Sequence, residues 1–341
     1  MQLDDFNFEL PPHFIARFPL PKRSASRLLC LSRKNSCLIH RQFSDLFHLL
    51  EEGDLLVFND TKVIPARMFG HKKTGGRVEV LMERVIDDER FLAQLRVSKA
   101  PHIGDELFFR EDISFEIVNR YSHFYELCYR KKDRTVLQVM EAIGEIPLPP
   151  YLHRNPQEED KVRYQTIYAK QKGSVAAPTA GLHFDEEVLQ ALRNKNIQMG
   201  YLTLHIGAGT FAPIRVEEIK QHQMHAEYLE ISESLCEQIE ATKLRGKRVI
   251  AVGTTSLRAL EAASQTGKVM PYQGDTRIFI YPGFTFHCVD ALITNFHLPR
   301  STLLMLTCAF GGYDLIMRAY REALAASYRF YSYGDAMWIG N

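Results

Sequence analysis

At residues 55–58 four apolar residues, LLVF, stand together and run straight into a polar turn, Asn59-Asp60-Thr61. A short unbroken apolar run closed by turn residues reads as a strand buried on both faces. Ahead of it, residues 42–52 carry the spacing of a short helix, with Ser44 as its N-cap and Gly53 as its stop. From Met68 the texture changes. RVEVLMERV, RFLAQLRVS, DELFFRE, SFEIVN and HFYELCYR are short, rich in β-branched and aromatic residues, and punctuated by Gly and Asp. They predict a compact all-β unit, barrel or sandwich. A helix over 134–143 ends at Gly144, and the Pro-rich EIPLPPYL closes the segment.

Beyond Leu152 the pattern alternates between helix and strand. Helices are expected over 158–169, 185–195, 233–244, 256–266, 302–310 and 313–327, and strands over 198–205, 228–231, 248–252, 277–281 and 291–294. The strand at 55–58 matches this later style. The expected fold class is therefore α/β: a mixed-sheet α/β main domain formed by residues 1–67 and 148–341, discontinuous in sequence, with an inserted small all-β barrel domain at 68–147. No internal repeat, low-complexity tract or flexible linker interrupts it.

Composition narrows the class. A chain of 341 residues fits about two domains. With 45% hydrophobic residues it can build a real core, and no apolar run reaches the ~18 residues of a membrane span. The start, MQLDDFNFEL, lacks the basic-then-apolar order of a secretory signal. None of the six cysteines forms a C-x-x-C, so they read as reduced, mostly buried thiols of a cytoplasmic protein. The net charge of +1 excludes a globally basic nucleic-acid binder. Residues 10–44, however, lack Asp and Glu and carry Arg17, Lys22, Arg23, Arg27, Arg33, Lys34 and Arg41. Such a stretch is a solvated face or a phosphate-contacting one.

Four blocks carry chemistry. GSVAAPTAGLHF (173–184) sets small residues and Thr179 before His183. LTLHIGAGTF (202–211) ends an apolar strand at His205 and continues through Gly207, Gly209 and Thr210, glycines that let a ligand approach the backbone. VIAVGTTSLRALE (249–261) feeds a strand through Gly253 into a helix start with Thr254, Thr255 and Ser256. Free N–H groups there attract a carboxylate or phosphate, and Arg258 could pair with it. ALITNFHLPRSTLLML (291–306) places Asn295 and His297 after a strand and Ser301 at the next helix start. Singly, each has a plain alternative: an N-cap, or a core histidine bonded to backbone. Polar turns after strands in one α/β domain are where such folds bind ligands. His222, His225 and Glu227 lie close together in QHQMHAE. His225 and Glu227 are general-base candidates more than the three are metal ligands, since no third ligand has convincing spacing, and no metal is expected.

At these residues the chain resembles the S-adenosylmethionine:tRNA ribosyltransferase-isomerase family of the queuosine pathway. The resemblance runs through FNFELP, SRLL, GDLLVFNDTKVIPAR, GEIPLPPY, RYQTIYA, MHAEY, the Tyr281-Pro282-Gly283 turn, YRFYSYGDAM and the four blocks above. Ala226 and Arg300 stand where the family pattern has serine and lysine. The resemblance implies transfer and isomerisation of the ribosyl portion of S-adenosylmethionine. The acceptor is 7-aminomethyl-7-deazaguanine at the wobble position of tRNAs with GUN anticodons. The products are epoxyqueuosine-tRNA, adenine and methionine. S-adenosylmethionine is then a co-substrate, and no prosthetic group is implied. A monomer without membrane contact is expected.

The reaction so implied begins with loss of a ribose 5′ proton beside the sulfonium. The ylide opens the sugar and expels adenine. The aminomethyl group then attacks, and epoxide closure expels methionine. Side-chain chemistry distributes the roles as follows. His183, His205, or His225 with Glu227 supplies the base, and Asp335 or His297 protonates or holds adenine. Thr254, Thr255 and Arg258 hold the methionine carboxylate, with Thr179, Gly207, Gly209 and Thr210 lining the same substrate. Asn295 reads a base edge with Ser301 nearby and Tyr333 stacking, and Arg23, Arg27, Lys62 and Arg67 contact the tRNA backbone. Two rivals are an RNA methyltransferase, against which the D/E-x-G-x-G turn is missing, and a non-catalytic RNA-binding protein, which would need no cluster of polar turns.

Overall fold

The computed structural model describes residues 1–121, 123–211 and 214–341. One nine-stranded sheet runs edge to edge through Tyr272–Thr276, Glu227–Ile231, Gln198–Leu204, Leu55–Asn59, Val249–Val252, Ala291–Asn295, Ala336–Gly340, Arg27–Ser32 and Cys37–Gln42. Its middle four strands, Gln198–Leu204 to Ala291–Asn295, are mutually parallel. Ala336–Gly340 lies antiparallel to them and carries Arg27–Ser32 parallel to itself. The sheet is thus mixed, and the C-terminal ends of the central strands share one edge with the N-terminal ends of Ala336–Gly340 and Arg27–Ser32.

Alternation along the strands fills both faces. Leu29, Leu31, Leu55, Val57, Val249 and Ala251 point into a core closed by helices Glu233–Leu244, Thr254–Ala262, Thr302–Gly311 and Tyr313–Ala325. Their neighbours Leu28, Cys30, Leu56, Phe58, Ile250 and Val252 meet Phe43, Leu46, Phe184 and helix Glu186–Asn194 on the other face. The β-rich segment forms a closed six-stranded barrel whose strands lie between Arg67 and Cys128. It has its own core, including Met68, Val80, Met82, Phe91, Phe115 and Leu127, plugged by helix Val136–Ile143. The α/β class with an added all-β barrel agrees with the pattern in the sequence.

Several elements differ from expectation. The helix expected over 42–52 is a 3₁₀ turn, Phe43–Asp45, followed by one helical turn, Leu46–Leu49. Gln42 and Asp45 form the capping box in place of Ser44, and Phe43, Leu46 and Leu50 are drawn into the sheet face. The helix expected over 158–169 is a single turn, Asp160–Arg163, because Arg154, the Gln157 N–H and Tyr333 hold the Asp160 carboxylate. The strand expected at 277–281 lies earlier, at Tyr272–Thr276, and the Thr276 hydroxyl accepts from Ile278 N–H where the strand ends. The hairpin Arg27–Ser32/Cys37–Gln42 and the strand Ala336–Gly340 were not expected. All six cysteines are unpaired. Among the described residues no helix is long and apolar enough to cross a membrane.

Candidate functional site

The four blocks meet at the polar edge of the sheet. Asn59, at the end of its strand, accepts from Leu204 N–H at 3.0 Å and donates to Leu204 C=O at 2.9 Å, fixing two strand ends together. Ser174 accepts from Ile206 N–H at 3.0 Å and donates to Ala176 C=O at 2.7 Å, knitting the 173–184 block to the 202–211 block. His205 places Nδ1 2.7 Å from the Thr61 hydroxyl and stacks on Tyr228. Gly173 passes so close to its ring that a Cβ there would lie 2.8 Å from Nε2. Burial pushes His205 down to about 4, so the imidazole is neutral at pH 7.

Gly253 takes φ +92°, a conformation suited to glycine, and ends strand Val249–Val252. Helix Thr254–Ala262 starts there with no side-chain cap. Thr255 and Arg258, three residues apart, share a helix face. Among the described residues the buried Thr255 hydroxyl has no partner, and neither have Nε and Nη2 of Arg258. The remaining Arg258 nitrogen, Nη1, donates to Glu227, forming a buried ion pair. Two of the three guanidinium nitrogens and a hydroxyl are thus left without a partner among the described residues beside an uncapped helix start, which is a built place for an anion.

Glu227 is also a wall of a cavity of about 330 Å³ lined by both units of the fold. The sheet side contributes Gly173, His205, Gly207, Glu227 and Tyr228, and the barrel contributes Glu83, Arg84 and Val85. Arg84 clamps across, donating to both Asp275 oxygens at 2.9 and 3.1 Å and to Ala226 C=O at 2.9 Å. Glu83, only 6% exposed, accepts from Gly209 N–H at 3.2 Å. Sequence reasoning missed this carboxyl. Its one signal is an acid directly after the inward-facing Val78, Val80 and Met82, where a loop residue was not due.

The other expected residues divide sharply. His183 and Asn295 come together. Asn295 donates to His183 Nε2 at 3.1 Å and to Tyr331 C=O at 3.0 Å, and His183 Nδ1 lies 2.7 Å from the Ser26 hydroxyl. Burial holds His183 down to about 3, so it is neutral, and the Asn295 donor fixes its proton on Nδ1. Asn295 Oδ1 is buried and has no donor among the described residues. His225 packs against Gly209 and the Phe124 ring, outside the cavity lining. Thr179 is partly exposed, and Thr210 is exposed beyond the glycine turn.

His297, Asp335 and Ser301 make internal hydrogen bonds. His297 is buried against the Thr294 hydroxyl at 2.8 Å and pushed down to about 3 by burial. Both Asp335 oxygens accept backbone N–H groups, from Arg27 and Arg329 at 2.8 Å each, joining the starts of two strands. Ser301 caps helix Thr302–Gly311 by accepting from Leu304 N–H at 3.2 Å. Tyr333 gives its hydroxyl to Asp160 at 2.8 Å, with its ring 4% exposed, so it presents no open stacking face. Three of the four arginines and lysines expected on the tRNA backbone are engaged internally. Arg23 donates to Leu182 and Val162 carbonyls, Arg27 donates to Ala326 C=O and covers the Tyr328 ring, and Arg67 reaches Glu79 and Leu148 C=O. Lys62 is partly exposed on the short strand Thr61–Val63. Among the described residues no group of three or more His, Cys, Asp or Glu side chains could hold a metal ion.

Comparison with known proteins follows the same whole-chain pattern. The family described as queuosine biosynthesis protein matches residues 3–339. Proteins named S-adenosylmethionine:tRNA ribosyltransferase-isomerase from three strains of Coxiella burnetii are 52% identical over 335 residues, covering 98% of this chain and 97% of theirs. A crystal structure of an S-adenosylmethionine tRNA ribosyltransferase from Thermotoga maritima is 34% identical, covers 98% of this chain and 99% of its own, and superposes with a TM-score of 0.56.

Proposed function

The chain belongs to the queuosine biosynthesis protein family, and from that membership we propose how its site works. The protein is an S-adenosylmethionine:tRNA ribosyltransferase-isomerase. It transfers and isomerises the ribosyl portion of S-adenosylmethionine onto 7-aminomethyl-7-deazaguanine in tRNA, giving epoxyqueuosine-tRNA and releasing adenine and methionine.

The observation that carries the site assignment is the unpartnered, buried set formed by Thr255 Oγ1 and Arg258 Nε and Nη2. These donors receive the methionine carboxylate of S-adenosylmethionine, assisted by the free N–H groups of the helix start at Thr254. Glu227 holds Arg258 in register for that task. The ribose and sulfonium then occupy the cavity beside His205, Glu227 and Tyr228, where an aromatic face and a carboxylate suit a positive sulfur. Gly207 and Gly209 keep its wall thin. Asn295, its amide set by His183 and Tyr331, offers Oδ1 to an amino group of a base. We further assign residues 1–67 and 148–341 to the main domain and 68–147 to the inserted barrel, a division supported by a barrel core built mostly from 68–147, with Ile64, Ala66, Val175 and Ala208 joining it at the seam. A cytoplasmic monomer acting on tRNAs with GUN anticodons completes the proposal.

The test mixes the protein with S-adenosylmethionine and tRNA carrying the aminomethyl-deazaguanine, and follows small products by chromatography. Adenine and methionine should appear in equal amounts and only with the modified tRNA. S-adenosylhomocysteine in their place would make the protein a methyltransferase.

A further inference from the structure

Strand Arg77–Val85 turns Val78, Val80 and Met82 into the barrel core. Its pairing with Arg90–Val97 then slips. Met82 faces Ala93 and Arg84 faces Leu92, so Glu83 is left with no partner residue. This is a one-residue bulge, a device that re-aims a side chain and is common beside active sites. Here it delivers the Glu83 carboxyl into the cavity against the glycine turn. Gly209 N–H lies 3.2 Å from Oε2, and Gly207 is so near that a Cβ would sit 2.2 Å from Oε1.

The surroundings of Glu83 are unusual for a buried acid. Among the described residues no Lys or Arg forms an ion pair with it. Arg84, next in the chain, is spent on Asp275 and Ala226. Across the cavity stand Glu227, His205 and Lys172, the last paired to Glu141. Burying a carboxyl without a cation is costly, and sites that do so are where proton chemistry is found. Burial pushes Glu83 up to about 7, against the pull of the Gly209 and Ala208 N–H groups.

We propose that Glu83 is the cavity's proton acceptor and takes a 5′ proton from the ribose of bound S-adenosylmethionine, an inference that rests on the ribosyl-transfer reading above. The C5′–H bond breaks, its proton forms an O–H bond on the carboxylate, and the electron pair stays on C5′ beside the positive sulfur. The negative charge thereby passes from the carboxylate to C5′, where the adjacent positive sulfur, its own charge unchanged, stabilises it. The other candidates are less suited. Glu227 is bound to Arg258, His205 is a weakened base, His225 lies outside the lining, and His183 and His297 are closed into hydrogen bonds elsewhere.

The test uses the full chain, the modified tRNA and S-adenosylmethionine deuterated at C5′. Wild type should wash deuterium into solvent and release adenine, with a rate rising through about pH 7. E83Q keeps an oxygen for Gly209 N–H and should fold. Its turnover should fall roughly 10²–10⁴-fold, with deuterium loss falling in parallel and the KM for S-adenosylmethionine little moved. E83D should recover part of the rate with a displaced pH limb. Turnover in E83Q near the wild-type value, or a loss confined to KM, overturns the assignment. Should E83Q not fold, an unmoved pH limb in E83D does the same. A wild type that releases no adenine removes the ribosyl-transfer premise itself, and is told apart because no variant then needs comparing.

Discussion

At the scale of single residues, the decisive groups are those with hydrogen bonds left to make. Arg258 is 5% exposed, yet only one of its three nitrogens has a partner. Replacing it with alanine removes the carboxylate fork and strands Glu227 in the interior, which costs about 3–5 kcal/mol of stability. Activity loss in that variant would therefore be ambiguous. Arg258→Lys keeps a cation for Glu227 and loses the planar fork. It should fold with a nearly unchanged Tm and bind S-adenosylmethionine roughly 10–150-fold more weakly, read by calorimetric titration. Unchanged affinity would release Arg258 from the carboxylate role. Asn295 shows the same logic on a smaller scale, a buried amide with both donors used and its oxygen idle.

At the scale of elements, two irregularities make the cavity: the bulge at Glu83 and the glycine turn that faces it. Each is useful only with the other in place. Gly207→Ala puts a Cβ 2.2 Å from Glu83 Oε1, the mobile end of a side chain, so the carboxyl will move before the backbone does. The variant should keep its melting temperature within a degree or two and lose turnover roughly 10²-fold, since a displacement near 1 Å of a reacting group costs about that much. Full activity would place the chemistry away from this turn. Regular elements were legible in the sequence because period and turn residues are local signals. The strand at Leu55–Asn59 and the helices Glu233–Leu244 and Tyr313–Ala325 came out close to their observed bounds. The strand Ala336–Gly340 was not legible, for its apolar run is short and its pairing partners are remote in sequence. The bulge escaped for a similar reason, because one extra residue leaves alternation intact on either side.

At the scale of the whole molecule, the turns after Gln198–Leu204, Val249–Val252 and Ala291–Asn295 share one edge because these central strands are parallel and end together. The 173–184 block follows a strand of a separate two-stranded sheet and is tied in through Ser174 and His183. The polar turns themselves could be read from the sequence, without the strand order that gathers them. The closure of the site by the barrel could not, since contact between an insert and its host carries no local pattern. Burial holds titratable groups of the cavity and of the neighbouring interior in unusual protonation states, and stability must then depend on pH. His183 and His297, pushed down to about 3, and His205, pushed down to about 4, bind no proton in the fold at pH 5.5 but mostly do so when unfolded. Their depressed values mean stability is lost as pH falls below the ordinary histidine range. Glu83, pushed up to about 7, acts the other way: it is protonated in the fold at pH 5.5 and ionised when unfolded. Unfolding there should take up about three protons and release about one, a net of about two. The melting temperature should therefore fall steadily from pH 7 to pH 5.5. E83Q abolishes the released proton, so its slope over that interval should be steeper than that of the wild type. A wild-type melting temperature that is flat across the interval would mean that these imidazoles are already charged in the fold. In that case the neutral His183 that orients Asn295, and the carboxyl without a cation at Glu83, would both have to be reassigned.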